Sequence, residues 1–384
     1  MKPNGGIGTV HIADMTMFYA PSSGGVRTYL DAKRRRLNNV PGIRHSLLVP
    51  GARYRRHEDD RLVEVPAPPL PFSNGYRFPL RRHHWLRALH DVGPDLIEAG
   101  DPYVTGWAAA QAARELDIPV VGFYHSDLPL LVSNRFGNWT SAAIGQYISR
   151  LYGHYNRILA PSRVMAGKLH ALGLEEVYVQ PLGVDLVNFS PERRSDELRR
   201  ELGISDDTRL LIFAGRGSRE KNIDVLLDTM KQLGSAYHLL LVGSCMPEHT
   251  PDNVSVINHF CSAEDLAVKM ASSDALLHAG TQETFGLVVL EAMACGIPVV
   301  AARAGALGEN VPEECGLLCE PHNAAAMAEA VRNLFTADSR QLGRQARAHV
   351  ERHHNWDRVV DGLGAHYRNV LGIRDTSSAG VQHG

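Results

Sequence analysis

Gly280-Thr281-Gln282-Glu283-Thr284-Phe285-Gly286-Leu287-Val288-Val289-Leu290-Glu291-Ala292-Met293-Ala294-Cys295-Gly296-Ile297-Pro298-Val299-Val300 holds the repeat from which the whole chain is built. Short apolar runs, Ala275–His278 and Pro298–Ala301, flank it and read as strands. Between them, Glu283 and Glu291 are eight residues apart. On one continuous helix they would stand about 80° out of phase. A loop followed by a helix fits better, with Glu283 in the loop, Gly286 near the helix start and Glu291 inside the helix. Strand, loop, helix and parallel strand make a βαβ unit.

The same alternation extends outward in both directions. Thr9–Ala13, Asp95–Glu98, Pro119–Tyr124, Val177–Gln180, Arg209–Phe213, His238–Val242 and Val254–Ile257 are further strand candidates, each followed by helical periodicity. This predicts an α/β protein with two Rossmann-like, doubly wound parallel sheets. The 384 residues exceed what one core usually serves. Pro181-Leu182-Gly183-Val184-Asp185 is punctuated like a linker. The expected organisation is an N-terminal domain 1–185, a second domain 186–355, a closing helix 356–374 and a disordered tail 375–384. Trp356, Val359, Val360, Leu363, Tyr367, Val370 and Leu371 form the helical stripe of that closing segment. Residues 66–84, Pro-rich and then basic, are expected to form a functional loop.

Composition narrows the function. Hydrophobic residues make up 44% and charged residues 21%, a soluble globular balance. No apolar run reaches 18 residues and the N-terminus has no signal-peptide core, so a cytosolic protein is expected. The five cysteines show no paired spacing, no metal site is expected, and the Asn138-Trp139-Thr140 sequon carries no meaning in the cytosol. Residues 1–180 hold 21 Lys and Arg against 15 Asp and Glu, a net of +6, while 181–384 hold 19 against 27, a net of −8. That asymmetry argues against general nucleic-acid binding and points to an anionic partner for the first half.

Several residues carry chemistry. Gly286 at a helix start lets free backbone N–H groups approach a diphosphate, which the helix dipole favours. Glu283 and Glu291 can then accept hydrogen bonds from sugar and ribose hydroxyls. His125 ends the strand Pro119–Tyr124 and so sits at a sheet's carboxyl edge, with Asp127 close by. Gly24-Gly25 precedes a helix whose apolar face is Val26, Tyr29, Leu30 and Leu37. Arg216 and Lys221 follow the strand Arg209–Phe213, where open α/β sheets bind ligands.

The window from Gly280 to Val300 resembles the E-x7-E signature of the family-4 retaining glycosyltransferases, including its trailing A-x-A-x-G-x-P-V-V. Gly215-Arg216-Gly217-Ser218-Arg219-Glu220-Lys221-Asn222 is similar to that family's G-R-x(n)-E-K-G segment, with Asn222 in place of the usual Gly. Asn tolerates a left-handed backbone best among the other residues. Ser22-Ser23-Gly24-Gly25-Val26-Arg27 resembles the family's glycine loop, and Phe123-Tyr124-His125-Ser126-Asp127 its active-site histidine. The resemblance runs from about residue 9 to 371 and includes His354-Asn355-Trp356-Asp357.

It implies the GT-B architecture, two Rossmann-like domains facing across a cleft with a C-terminal helix crossing back to the first. It also implies a nucleotide-sugar donor, GDP-mannose or a UDP-hexose, held by Gly24, Gly25, Arg216, Lys221, Glu283, Phe285, Gly286, Leu287 and Glu291. His125, Arg216, Lys221 and Glu283 would take the catalytic roles. Transfer would proceed with retention by front-side displacement, the departing phosphate taking the acceptor proton, with no cofactor and no metal. The opening Asp14-Met15-Thr16-Met17-Phe18-Tyr19-Ala20-Pro21 looks like that of bacterial α-mannosyltransferases and diacylglycerol glycosyltransferases, which implies a lipid or glycan acceptor.

Alternatives remain at this level: a sugar-nucleotide epimerase or phosphorylase of the same fold, or a nucleotide-sugar sensor. A nicotinamide dehydrogenase is excluded because neither Gly5-Gly6-Ile7-Gly8 nor Gly215-Arg216-Gly217 continues into G-x-G-x-x-G. The basic clusters Lys33-Arg34-Arg35-Arg36 and Arg81-Arg82-His83-His84, with Trp85 at headgroup level, predict attachment to an anionic membrane surface, with Asp127 toward the acceptor.

Overall fold

The computed structural model describes residues 9–20, 25–57, 61–71, 75–137 and 139–373. The chain divides into two compact units, Met1–Pro181 with Asp357–Gly384, and Leu182–Trp356.

The first unit is built on eight strands: β1 Val10–Met15, β2 Ile43–Gly51, β3 Arg55–His57, β4 Leu62–Pro66, β5 Leu96–Ala99, β6 Val120–Phe123, β7 Arg157–Ala160 and β8 Val177–Val179. They lie in the order β3-β4-β2-β1-β5-β6-β7-β8. Every pairing is parallel except the antiparallel edge pair of β3 and β4. The strand order reverses between β1 and β5, which makes the carboxyl ends of those strands the switch point.

The second unit carries β9 Arg209–Ala214, β10 Tyr237–Val242, β11 Val254–Ile257, β12 Ala275–His278, β13 Val299–Ala302 and β14 Gly316–Cys319. Their order is β11-β10-β9-β12-β13-β14, all parallel, with the switch point between β9 and β12. Leu210, Leu211, Ile212 and Phe213 in β9 are completely buried, as are Leu239, Leu240 and Leu241 in β10. Strands covered by helices on both faces read as continuous apolar runs for this reason.

The closing helix Trp356–Val370 contributes all but its first residue to the first unit. The Tyr367 hydroxyl donates to Glu98 Oε2 at 2.6 Å, Arg157 donates to Asn369 Oδ1 at 2.7 Å, and Arg36 pairs with Asp357 at 3.1 Å. These bonds supplement the buried apolar stripe of Trp356, Val359, Val360, Leu363 and Tyr367.

Two expectations about the membrane surface are corrected. Trp85 is fully buried in the core, in the helix Arg82–Val92. Trp85, Ala88, Leu89 and Val92 fall at i, i+3, i+4 and i+7, the inward stripe of an amphipathic helix. Lys33 is likewise fully buried, on the same face of Gly25–Leu37 as Tyr29, Leu30 and Leu37. Its ammonium lies 2.8 Å from Asp14 and 2.7 Å from Glu98, which are register partners on β1 and β5. His45 Nε2 on β2 is 2.9 Å from the same Asp14 carboxylate. Burial works against the charge on Asp14, yet Lys33 and His45 hold its carboxyl below the usual range. Burial pushes the Glu98 carboxyl up.

Candidate active site

The loops after β9 and β12 meet at the switch point of the second sheet. Lys221 ends the 3-10 turn Arg219–Lys221, and Asn222 follows it with φ +50°. Asn222 holds the turn in place by donating from Nδ2 to the carbonyl of Ala279, 2.8 Å away. That anchor brings the Lys221 ammonium into an ion pair with Glu283. Their side chains keep 21% and 15% of their surface accessible, so the pair is open to a ligand.

A third partner escaped the sequence reading. His278, the last residue of β12, is fully buried and its Nε2 lies 3.1 Å from Glu283 Oε1. The Gly280 backbone N–H donates to His278 Nδ1 at 3.0 Å. Accepting there leaves the ring proton on Nε2, facing the carboxylate. Only glycine fits at 280, because a Cβ would stand 2.5 Å from the His278 ring. Burial opposes ionisation of Glu283, but the His278 contact and the Lys221 charge hold its carboxyl well below the ordinary range. A strand end followed two residues later by glycine was the available signal.

Gly286, at φ +84°, turns the chain into the helix Leu287–Ala294. No side chain caps that helix start, so its first N–H groups are available to an anion. Phe285 is 4% exposed, packs edge-on to His354, and its carbonyl accepts from Asn310 Nδ2. Leu287 is partly exposed in the first turn. Glu291, one turn further on, is partly buried, and burial pushes its carboxyl up to about 7. Arg216 is exposed and has no ion-pair partner among the described residues. Arg216, Lys221, Glu283, Gly286 and Glu291 therefore all belong to the two loops and the helix at one switch point.

The other residues singled out belong to the first unit. His125 follows β6, partly buried, stacked on Phe123 with ring centroids 4.2 Å apart and edge-on to Tyr29 at 5.1 Å. Burial, then the Lys33 charge, lowers its pKa to about 3, so the ring is neutral. Asp127 is buried and occupied: it caps the helix Leu128–Phe136 by accepting from the Leu130 N–H at 3.2 Å, and pairs with Lys168 at 2.5 Å. Gly25 opens the helix Gly25–Leu37 and is exposed, whereas Gly24 lies outside the described residues. Arg81 and Arg82 are exposed.

Two doubly wound units, one with cations and an open helix start at its switch point, place the molecule among the GT-B glycosyltransferases. Residues 23–188 match the family model Glycosyltransferase Family 4, and residues 194–349 match Glycosyl transferases group 1. The chain belongs to the family-4 glycosyltransferases, enzymes that move a hexose from a nucleotide-sugar. It is 31% identical over 330 residues to a GDP-mannose-dependent α-mannosyltransferase of Mycobacterium tuberculosis, covering 85% of this chain and 86% of that one. It is 28% identical over 362 residues to the GDP-mannose-dependent α-(1-6)-phosphatidylinositol dimannoside mannosyltransferase of the same species, covering 89% and 92%. Among solved structures, sucrose-phosphate synthase of Thermosynechococcus elongatus superposes with a TM-score of 0.79 at 22% identity, covering 95% of this chain and 100% of that one. Anabaena HepE with UDP and glucose gives 0.72 at 18% identity, covering 94% and 100%. Both share the fold.

Proposed function

We propose that the enzyme transfers mannose from GDP-mannose, with retention of configuration, to a hydroxyl of a membrane glycolipid or other diacylglycerol-based acceptor at the inner face of the cell membrane. The carrying observation is the Lys221–Glu283 ion pair in the loop before the open helix start at Gly286, with the exposed Arg216 following the adjoining strand β9. A diphosphate there meets two cations and free backbone N–H groups, with Glu283 and Glu291 left to accept from sugar and ribose hydroxyls. The choice of donor is supported by the relatives whose names specify GDP-mannose.

In this reading the bond from the anomeric carbon to the phosphate oxygen breaks while the acceptor oxygen bonds to the same face. The acceptor proton passes to the departing phosphate, whose charge Arg216 and Lys221 stabilise. The Lys221–Glu283 ion pair pre-orients both groups before the donor arrives. His125, neutral at working pH, serves as a hydrogen-bonding group rather than as an acid or base.

A pocket in the first unit supports the amphiphilic acceptor. Its volume is 450 Å³ and Phe78, Arg82, Tyr103, Trp107 and Tyr147 line it. Trp107 Nε1 donates to the Tyr147 hydroxyl at 3.1 Å, which donates in turn to the Pro102 carbonyl at 2.6 Å. With those polar groups satisfied internally, the walls offer apolar faces and one cation. A chain of methylenes beside an anionic group matches that lining better than a bare sugar does.

The test is a panel of GDP-, UDP- and ADP-sugars with membrane lipid extract, read by mass spectrometry, with the anomeric configuration of the product set by NMR. Mannosylated lipid with an α linkage, formed from GDP-mannose at an unchanged rate in EDTA, is the expected result. Preference for a UDP-sugar, an inverted product or transfer only to soluble sugars would overturn the corresponding part.

A further inference from the structure

The helices Leu128–Phe136 and Thr140–Tyr152 form a hairpin whose tip carries apolar side chains into solvent. Trp139 is 80% exposed, Phe136 64% and Leu131 52%, and the Arg135 guanidinium lies over the Phe136 ring at 5.8 Å. Of the four tryptophans, Trp85 and Trp356 are buried in cores and Trp107 is partly covered. Leaving Trp139 in water while the others are sheltered is costly unless something covers it.

Charge identifies what covers it. Between Asp127 and Glu175 the sequence contains no Asp or Glu, while Arg135, Arg150, Arg157, Arg163 and Lys168 lie in that interval. Arg135 and Arg150 are exposed on the two helices of the hairpin itself. Trp139 has helical backbone angles, so Trp139, Ala143, Tyr147 and Arg150 follow one helical stripe at i, i+4, i+8 and i+11. That stripe runs from the tip to the pocket, where Tyr147 lines one side and Arg82 is a further cation. An aromatic tip with Arg135 beside it and Arg150 three turns along the same stripe, with acidic residues excluded, fits a layer with an anionic face and an apolar interior. Among the described residues no helix is long and apolar enough to cross a membrane, so the fit is to the surface of one.

We propose that this hairpin is the element that docks the enzyme on an anionic lipid bilayer, with Trp139 and Phe136 entering the headgroup region and Arg135 and Arg150 meeting lipid phosphates. The assignment deepens the lipid-acceptor reading and rests on it for the expectation that a bilayer presents the acceptor.

The experiment uses the full chain with vesicles of phosphatidylglycerol or of phosphatidylcholine alone. Expected results are co-sedimentation with the anionic vesicles only, a blue shift of tryptophan emission that Trp139→Phe abolishes, and quenching by brominated lipid. The variant Phe136→Ser with Trp139→Ser should lose at least about tenfold in vesicle partition, with unchanged circular dichroism and melting temperature reporting an intact fold. Its rate on detergent-dispersed acceptor should equal that of the wild type. Equal sedimentation of variant and wild type would overturn the hairpin while leaving a lipid acceptor in place. Loss of vesicle binding by the variant, in an enzyme that glycosylates only soluble acceptors, would retain the hairpin and reject that acceptor. A wild type that ignores anionic vesicles, or forms a dimer that the double variant dissociates, would assign the tip to something other than a bilayer.

Discussion

Both sheets pair a lysine with carboxylates near their switch points, and the two pairs have opposite fates. In the first unit Lys33 reaches from the helix after β1 to Asp14 and Glu98 on the adjoining strands, and is completely buried. In the second, Lys221 follows the corresponding strand β9 and meets Glu283 after β12, with both side chains partly open. Strand order is the same around each switch point. What differs is reach: a lysine on the helix face fills the switch point from inside, whereas one on the turn before the helix stays outside the strand ends. The buried group cannot meet a ligand and serves to tie β1, β5 and, through Tyr367, the closing helix together. Solvent access, not residue type, separates a structural ion pair from one available for chemistry.

The contrast breaks most readily at Lys33. Lys33→Met leaves two buried carboxylates without their cation, a loss of about 3–5 kcal/mol, read as a lowered first transition in calorimetry. Adding Asp14→Asn and Glu98→Gln should recover part of that loss, since the uncompensated charge is its cause. A Lys33→Met protein as stable as the wild type would show that the cluster is not structural. Lys221→Ala is the mirror experiment. Its ion pair is partly open to solvent, so the expected loss of stability is smaller than that of Lys33→Met, but loss of a group stabilising the departing phosphate lowers turnover by about 10²–10³. Steady-state kinetics beside a melting curve checks both halves. Full activity in Lys221→Ala would move the diphosphate away from this switch point.

The sequence shows the same contrast only in part. Parallel strands buried on both faces, such as Arg209–Ala214 and Tyr237–Val242, are legible because nothing interrupts their apolar runs. Arg157–Ala160 is harder to see: it is four residues long and opens with an arginine whose partners, His366 and Asn369, lie more than 200 positions away. Leu62–Pro66 ends in proline, and Gly316–Cys319 begins with glycine; both residues usually mark turns. The left-handed turn at Asn222 is legible because few residues other than glycine adopt it. The burial of Lys33 and Trp85 could have been read from helical phase, since each stands on the inward stripe of its helix, but residue type argued for the surface. His278 was hidden by its context, a strand end whose partner is a loop glutamate fixed only by the turn at Gly280. Exposure of Trp139 is a tertiary fact that no local pattern encodes.

Glu291 gives the finest test, because it stands in the helix that follows the loop of the open pair yet has no cation of its own among the described residues. Burial holds its carboxyl at about 7 in the empty enzyme. The folded protein therefore keeps a proton that the unfolded chain releases near the ordinary glutamate value. The stability associated with this group is fully present below that value and is lost as pH rises through about 7. A bound ribose acts in the opposite sense. Hydroxyls donating to the carboxylate favour the ionised form, so below about 7 binding must expel a proton, and donor affinity climbs with pH and levels off above that point. GDP-mannose is the right ligand for calorimetry, since its diphosphate carries no proton that titrates between about pH 5 and 8. Glu291→Gln should abolish the slope and weaken binding by about 1.5–3 kcal/mol at pH 8, while Lys221→Ala should weaken binding and leave the slope intact. An affinity that ignores pH in the wild type would mean that Glu291 does not meet the ribose, and the open region would then hold its donor by the phosphate contacts alone.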